Sequence, residues 1–397
     1  MTFLEGVVTW AEIDLDAIAE NVRALKRHVG ENVEIFAVVK ANAYGHGSAP
    51  VAKVALEAGA TRLAVHRAIE GVELRQAGVK APILVMGYTP PDGANLVVDW
   101  RLTPSLMTLE FARALSARAS AAGVLTPVHV KIDTGMSRYG LMPEEALEFF
   151  EALRQLPGIY LEGVFTHFAT ADWSDQRYTR QQLDVFEGVL TALHQMGIQP
   201  PVVHAANSAA LLRLPEARFN LVRPGLAMYG VSPAPGRGEA VALRPVLAWK
   251  TRVAQVKVMR PGETVGYGRT WEARGGEVVA TLPVGYADGY RRALSGRAEV
   301  LVRGRRAPVV GRVSMDQVTV VLPAGVEVAA GEEVVRLGSQ GEETISAWEM
   351  ARAADTIPYE VLVGIGRRVP RVYLRDAGAP RIEAVMTGFA GRGEGSE

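Results

Sequence analysis

The sequence predicts an α/β protein, a (β/α)8 TIM-type barrel followed by a C-terminal, mainly β domain. Three observations predict it. Short apolar runs alternate with amphipathic stretches over the first two-thirds of the 397 residues. Polar residues gather at the C-terminal ends of those runs. The texture then changes beyond SPAPGRGEA (232–240), a Pro- and Gly-rich segment that reads as a linker.

The strand candidates are IFAVVK (35–40), RLAVH (62–66), ILVMG (83–87), VHVKID (128–133), LEGVFTH (161–167), VVHAAN (202–207) and LVRPG (221–225). Between them lie helix-like segments such as APVAKVALEAG (49–59), EEALEFFEALRQ (144–155) and the stretch 177–197. Buried strands alternating with amphipathic helices argue for parallel βα units. About eight such units fit before residue 235, which favours a closed barrel, with an open doubly wound sheet as the alternative. The barrel is assigned to 10–235 and the β domain to 236–385, with residues 1–9 expected to pack with the latter. Val-rich, Gly-punctuated runs such as GEVVATLPV and APVVGRV fill that second domain, and a helix is expected to begin near Ser346. The stretch 386–397 reads as a disordered tail.

Composition narrows the function. Lys plus Arg (43) equals Asp plus Glu (43), so nothing electrostatic points to nucleic acid or an acidic membrane. With no cysteine, disulfides, thiolate metal sites and cysteine nucleophiles are excluded. The N-terminus lacks a basic region followed by an apolar core, and no apolar run would span a bilayer, so a cytoplasmic enzyme is expected. No metal-ligand set, paired-carboxylate pattern, Ser-His-Asp order or Walker loop stands out, and no metal is expected.

The chemistry begins at VVKANAYGHG (38–47), where an apolar strand delivers Lys40 to its end ahead of a turn with Gly45 and Gly47. A lysine facing a cavity can lose its proton by desolvation and form an imine with an aldehyde cofactor. A bare strand-end lysine reads as readily as a surface residue, so the whole string matters. Other strand ends carry MSRYG (136–140), THFATAD (166–172), HAANSAA (204–210) and RPGLAMYG (223–230). The second domain carries VGYGRTW (265–271), LPVGYADGY (282–290), GRVSMDQ (311–317) and IPYEVLVGIGRRVPR (357–371).

In that order, from about Thr9 to about Tyr373, these strings resemble the alanine racemases, fold-type III enzymes that carry pyridoxal 5′-phosphate. The resemblance implies that Lys40 holds the cofactor and is also the base for the α-proton of the D-isomer. It implies that Tyr267, supplied by the partner subunit, serves the L-isomer. An ordinary tyrosine, with a pKa of about 10, is a poor base and needs nearby donors, for which His167 and Arg223 are the candidates. Arg223 resembles the arginine facing the cofactor's ring nitrogen. Tyr44, Asn207, Ser208, Gly225, Leu226 and Tyr359 match its phosphate region. Arg138 matches the arginine that meets the cofactor's phenolic oxygen and the substrate carboxylate, where a planar fork suits both. Met315 matches a backbone donor to that carboxylate. Lys131 matches a lysine that is often carbamylated. Asp172, Tyr286 and Arg312 match the entryway.

The implied function is interconversion of L- and D-alanine for peptidoglycan by a homodimer with shared sites. A broader-specificity or serine racemase, or a basic amino-acid decarboxylase, is the alternative within the same chemistry. A non-enzymatic pyridoxal-phosphate homeostasis barrel is the alternative of another class, and the 160 or so residues beyond the barrel argue against it.

Overall fold

The computed structural model describes residues 5–236, 241–375 and 381–386. The expected tail lies outside these residues from 387 onward, as do residues 237–240 of the linker. The chain divides into two compact units. One comprises Ala17–Ala43 and Gly47–Arg244; the other comprises the N-terminal segment to Asp16, Tyr44–His46 and the chain from Pro245.

The first strand, β1 (Thr9–Asp14), belongs to the second unit and leads into helix α1 (Leu15–Val29). The first unit holds eight parallel strands, β2 (Glu34–Val38), β3 (Arg62–Val65), β4 (Ile83–Val85), β5 (Thr103–Leu106), β6 (Thr126–Lys131), β7 (Ile159–Phe165), β8 (Val202–His204) and β9 (Leu221–Val222). They hydrogen-bond in the order β8-β7-β6-β5-β4-β3-β2-β9, a nearly closed barrel. Between β8 and β9 there is no ladder, and the Arg223 amide donates to Ala206 O at 2.9 Å. Strands end at or before the residues expected to carry chemistry, so those residues lie just beyond the carboxyl ends. β5, TPSL, lacks an apolar run and was invisible to pattern reading, although all four residues are buried.

Helices follow the strands: α2 (Ser48–Glu57), α3 (Ala68–Gln76), α4 (Ala94–Asp99), α5 (Leu109–Ala121), α6 (Pro143–Arg154), α7 (Arg177–Gln195) and α8 (Ser208–Arg213). α7 buries Leu183, Phe186, Val189 and Leu193, a stripe at helical spacing. Thr108 caps α5 by accepting from Phe111 N at 3.3 Å.

In the second unit a large, mainly antiparallel sheet is built on β1, β10 (Leu247–Arg252), β11 (Gln255–Val258), β14 (Val278–Leu282), β15 (Glu299–Val302), β16 (Arg305–Val310), β17 (Val318–Val321), β18 (Glu333–Gln340), β20 (Arg371–Arg375) and β21 (Arg381–Met386). β19 (Glu343–Ile345) extends β18, and a two-stranded ribbon pairs β12 (Thr264–Val265) with β13 (Trp271–Glu272). β1 sits inside this sheet, antiparallel to β10 and parallel to β20. Ser346 caps α9 (Ala347–Ala353), accepting from Glu349 N at 3.1 Å, and α10 (Pro358–Val363) follows. The Arg336 guanidinium lies between the rings of Trp249 and Tyr290, at 3.6 and 3.9 Å.

Candidate active site

Lys40 stands half-buried two residues beyond β2. Directly after it, Ala41, Asn42, Ala43 and Tyr44 all have φ between 52° and 54°. Four consecutive L-residues therefore make one left-handed turn, which sterics disfavour by about 1–2 kcal/mol per residue. The turn is tied down locally. Glu70, in the first turn of α3, accepts from Ala41 N at 2.6 Å through one oxygen and from His66 N and Arg67 N at 2.8 and 2.9 Å through the other. Asn42 Oδ1 accepts from Ser48 N at 2.9 Å. The turn fixes where the lysine leaves the backbone.

Burial pushes the Lys40 ammonium below its usual pKa, and the Arg138 guanidinium adds to this; Glu70 opposes it. Lys131 ends β6, buried, with Nζ 5.5 Å from the Tyr139 ring and 5.6 Å from that of Phe165. Burial, with Arg138 and Arg223 nearby, lowers its pKa to about 7. Arg138 sits on the exposed loop after β6. Asp133 shapes that loop, accepting from Gly135 N and Ser137 N at 2.9 and 3.0 Å, and Asp133 N donates to Leu141 O at 2.8 Å to close its base.

Arg223 follows β9 and is buried. Its NH1 donates to His204 Nδ1 at 2.7 Å; its NH2 donates to Thr166 O at 2.8 Å, Ala205 O at 2.9 Å and His167 Nδ1 at 3.3 Å. All four acceptors are neutral. Burial lowers the Arg223 pKa to about 9, and burial beside Arg223 and Arg138 holds the His167 imidazole well below its ordinary value. Asn207 caps α8, accepting from Ala209 N and Ala210 N at 3.1 and 3.0 Å. Buried Ser208 accepts from Gly225 N at 2.8 Å and Ala227 N at 3.2 Å, which leaves its own hydroxyl hydrogen to donate. Leu226 is buried in the turn that follows, and Asp172 is exposed on the loop after β7.

The remaining expected residues lie in the second unit. Tyr44 and Tyr359 face each other with ring centroids 6.0 Å apart, and burial, then Tyr359, raises the Tyr44 phenol. Tyr267, 73% exposed, occupies a tight turn between β12 and β13. Gly268 beside it has φ 74°, and a Cβ there would come within 3.3 Å of the Arg312 guanidinium. Tyr286 N donates to Ser314 O at 3.1 Å and Ala287 N to Met315 O at 3.0 Å. The Tyr286–Ala287 backbone thus runs against Ser314–Met315, and the Arg312 guanidinium lies against Gly268, next to Tyr267.

Glu70, His129, His204 and Glu162 escaped the sequence reading. Of these, His129 alone carried a signal, strand parity. His129 lies two residues before Lys131, so both project from the same face of one strand.

A lysine held toward its neutral form, an arginine with only neutral partners and a buried hydroxyl ready to donate fit a cofactor that bears an aldehyde, a ring nitrogen and a phosphate. Fold and donors together define barrel enzymes that handle amino acids through pyridoxal phosphate. The profile for the alanine racemase N-terminal domain matches residues 13–233, and that for the alanine racemase C-terminal domain matches residues 246–373. An alanine racemase of Symbiobacterium thermophilum is 50% identical over 365 residues, covering 92% of this chain and 97% of the relative. One of Halothermothrix orenii is 45% identical, covering 93% and 98%. The crystal structure of alanine racemase from Bacillus anthracis with bound L-Ala-P superposes with a TM-score of 0.90 at 43% identity, covering 96% of this chain and 97% of that one. Alanine racemase from Clostridium difficile in complex with cycloserine gives a TM-score of 0.89 at 36% identity, covering 96% and 99%. The chain belongs to the alanine racemase family, pyridoxal-phosphate-dependent isomerases that interconvert L- and D-alanine.

Proposed function

We propose that the chain racemises alanine with two bases, Lys40 on one face of the substrate's α-carbon and Tyr267 of a second copy on the other. One observation carries this reading: burial and Arg138 drive Lys40 toward the free amine, the state that can accept a proton. Pyridoxal phosphate, when bound, supplies an aldehyde for that amine and an electron sink for the charge left as the α-proton departs. Lys40, Tyr44, Arg138, His167, Asn207, Ser208, Arg223, Gly225, Leu226 and Tyr359 would hold it.

Each side chain has a task in this reading. Lys40 Nζ, as the free amine, takes the α-proton of D-alanine and, as the ammonium, returns one to that same face when the reaction starts from L-alanine. Tyr267, as the phenolate, takes the α-proton of L-alanine, and its hydroxyl returns one to that same face when the reaction starts from D-alanine, supported by neutral His167 and by Arg223. Arg223 would donate to the ring nitrogen without giving up its proton, leaving that nitrogen unprotonated where a carboxylic acid would protonate it. Arg138 and the Met315 amide orient the substrate carboxylate. Lys131, poised near pH 7, adds carbon dioxide and releases one proton, becoming a carbamate anion beside Arg138. Asp172, Tyr286 and Arg312 restrict entry to small amino acids. The barrel domain, ending near residue 235, contributes the lysine, and the β domain beyond it contributes the tyrosine.

Two equivalent shared sites make a homodimer the economical assembly. The chain works in the cytoplasm, making D-alanine for peptidoglycan. Among the described residues no helix is long and apolar enough to cross a membrane.

Subunit exchange tests the shared site. Lys40→Ala and Tyr267→Phe dimers are each inactive, but mixed dimers carry one intact site. Random exchange restores about one quarter of the parental sites. Mixed dimers without activity would overturn the second-copy assignment. Failure of either alanine isomer to exchange its α-proton in deuterated water would overturn the reaction itself.

A further inference from the structure

Behind Arg223 a line of polar side chains runs through the barrel interior, otherwise packed with apolar residues. His204 Nε2 lies 2.8 Å from His129 Nδ1, and His129 Nε2 lies 3.1 Å from Glu162 Oε2. Glu162 Oε1 accepts from Arg62 NH1 at 2.7 Å. Both histidines are fully buried. The line crosses three neighbouring strands: His129 on β6, Glu162 on β7 and His204 on β8.

The protons on this line have one arrangement. A guanidinium can only donate, so His204 Nδ1 must be bare and its hydrogen must sit on Nε2. That hydrogen points at His129 Nδ1, which must be bare in turn. The His129 hydrogen therefore sits on Nε2 and meets a carboxylate oxygen. Arg62 fixes the far end, since it too can only donate to Glu162. Burial lowers the pKa of both imidazoles and so favours their neutral forms, with Arg223 reinforcing this at His204 and the hydrogen bond to Glu162 opposing it at His129.

The packing is built around these rings. His204 stacks on Phe165, centroids 4.7 Å apart and planes within 5°. A Cβ on Gly163 would stand 2.5 Å from the His129 ring, so the strand leaves out a side chain where the imidazole passes.

We infer that His204, His129 and Glu162 are positioning residues for Arg223, forming a one-way hydrogen-bond chain that places the arginine's counter-charge at Glu162, across the barrel interior from the site. The inference rests on the reading of Arg223 as the arginine that faces the cofactor's ring nitrogen. A carboxylate beside Arg223 would compete for its free N–H groups and could pass a proton to that nitrogen. Two neutral imidazoles carry the polarisation and keep the carboxylate away. The described groups whose titration Arg223 shifts are Lys40 after β2, His129 and Lys131 on β6, His167 after β7 and His204 on β8, and none of these is an acid.

The test uses holoenzyme labelled with 15N in histidine. Long-range 15N–1H spectra identify which ring nitrogen carries the proton. His129 and His204 should both be protonated on Nε2, unchanged from pH 6 to pH 9. Glu162→Gln should mix these tautomers, lower kcat about tenfold at nearly unchanged KM, as loss of one charge-assisted hydrogen bond predicts, and move the alkaline limb of the kcat profile to lower pH. Glu162→Asp should restore much of both. A purely structural role would change the melting temperature and leave the alkaline limb in place. The proposal is overturned if His204 carries its proton on Nδ1, or if Glu162→Gln moves neither tautomers nor limb. If Arg223→Ala racemises at the parental rate, the reading of Arg223 fails, whereas the tautomers report on the chain alone.

Discussion

Removing the Glu70 carboxylate should unseat the turn that follows Lys40. In Glu70→Ala, Ala41 N loses its acceptor at 2.6 Å, and His66 N and Arg67 N lose theirs at 2.8 and 2.9 Å. A charge-assisted hydrogen bond contributes about 1.5–3 kcal/mol, and a helix cap about 1 kcal/mol. The site is partly open to solvent, which replaces some of this, so we expect a net loss of about 2–3 kcal/mol. For a domain of this size that corresponds to a fall in melting temperature of roughly 5–10 °C, measured by scanning calorimetry on the holoenzyme. Glu70 is also the anion that opposes the depression of the Lys40 pKa. Its removal should therefore move the acid limb of the rate profile, set by free Lys40, to lower pH. Glu70→Gln retains one acceptor oxygen and should fall between parent and alanine variant. A Glu70→Ala protein melting within about 1 °C of the parent, with an unmoved acid limb, would refute the idea that this carboxylate supports the turn.

Other expectations are independent of this. The Lys131 amine, with a pKa of about 7, should bind 13C-labelled carbon dioxide increasingly as pH rises through 7, giving a carbamate signal that is absent in Lys131→Ala. Gly140→Ala would place a Cβ 2.6 Å from Asp133 N at φ 131°, so the Arg138 loop must shift; KM for alanine should rise, with a stability loss of about 2 kcal/mol or more by chemical denaturation. Burial raises the Glu162 pKa, but hydrogen bonds from His129 and Arg62 outweigh it and bring it from 4.5 to about 2. Its stabilisation is complete above about pH 4.5 and is lost as pH falls towards 2, so parent and Glu162→Gln should converge in stability over that window in acid-titrated denaturation curves.

Much of the fold could be read from periodicity, because parallel strands buried on both faces are continuous apolar runs. TPSL escaped because its threonine and serine are buried by tertiary packing that pattern reading does not register; Ser105 donates to Val85 O at 2.7 Å. β1 escaped for another reason: its partners β10 and β20 are more than 200 residues away in sequence, and nothing local reports such pairing. In the site, residues at strand ends were legible because position and motif coincide there. Their supports were not. Glu70 reads as an ordinary acidic residue in the first turn of a helix, and His129 as one polar residue within a strand. Only the folded backbone brings Glu70 to Ala41 N, or His129 to His204.

The four-residue turn after Lys40 has a consequence for chirality. Its φ values, 52° to 54°, are those an ordinary right-handed helix would show in a mirror. The conformation that penalises L-residues there is the relaxed one for D-residues. In a protein assembled by chemical ligation, D-alanine at positions 41 and 43 should stabilise the fold, whereas the same exchange in α7 would break that helix. In an isomerase family whose two substrates are enantiomers, the residues next to Lys40 already occupy the backbone geometry natural to the D-enantiomer.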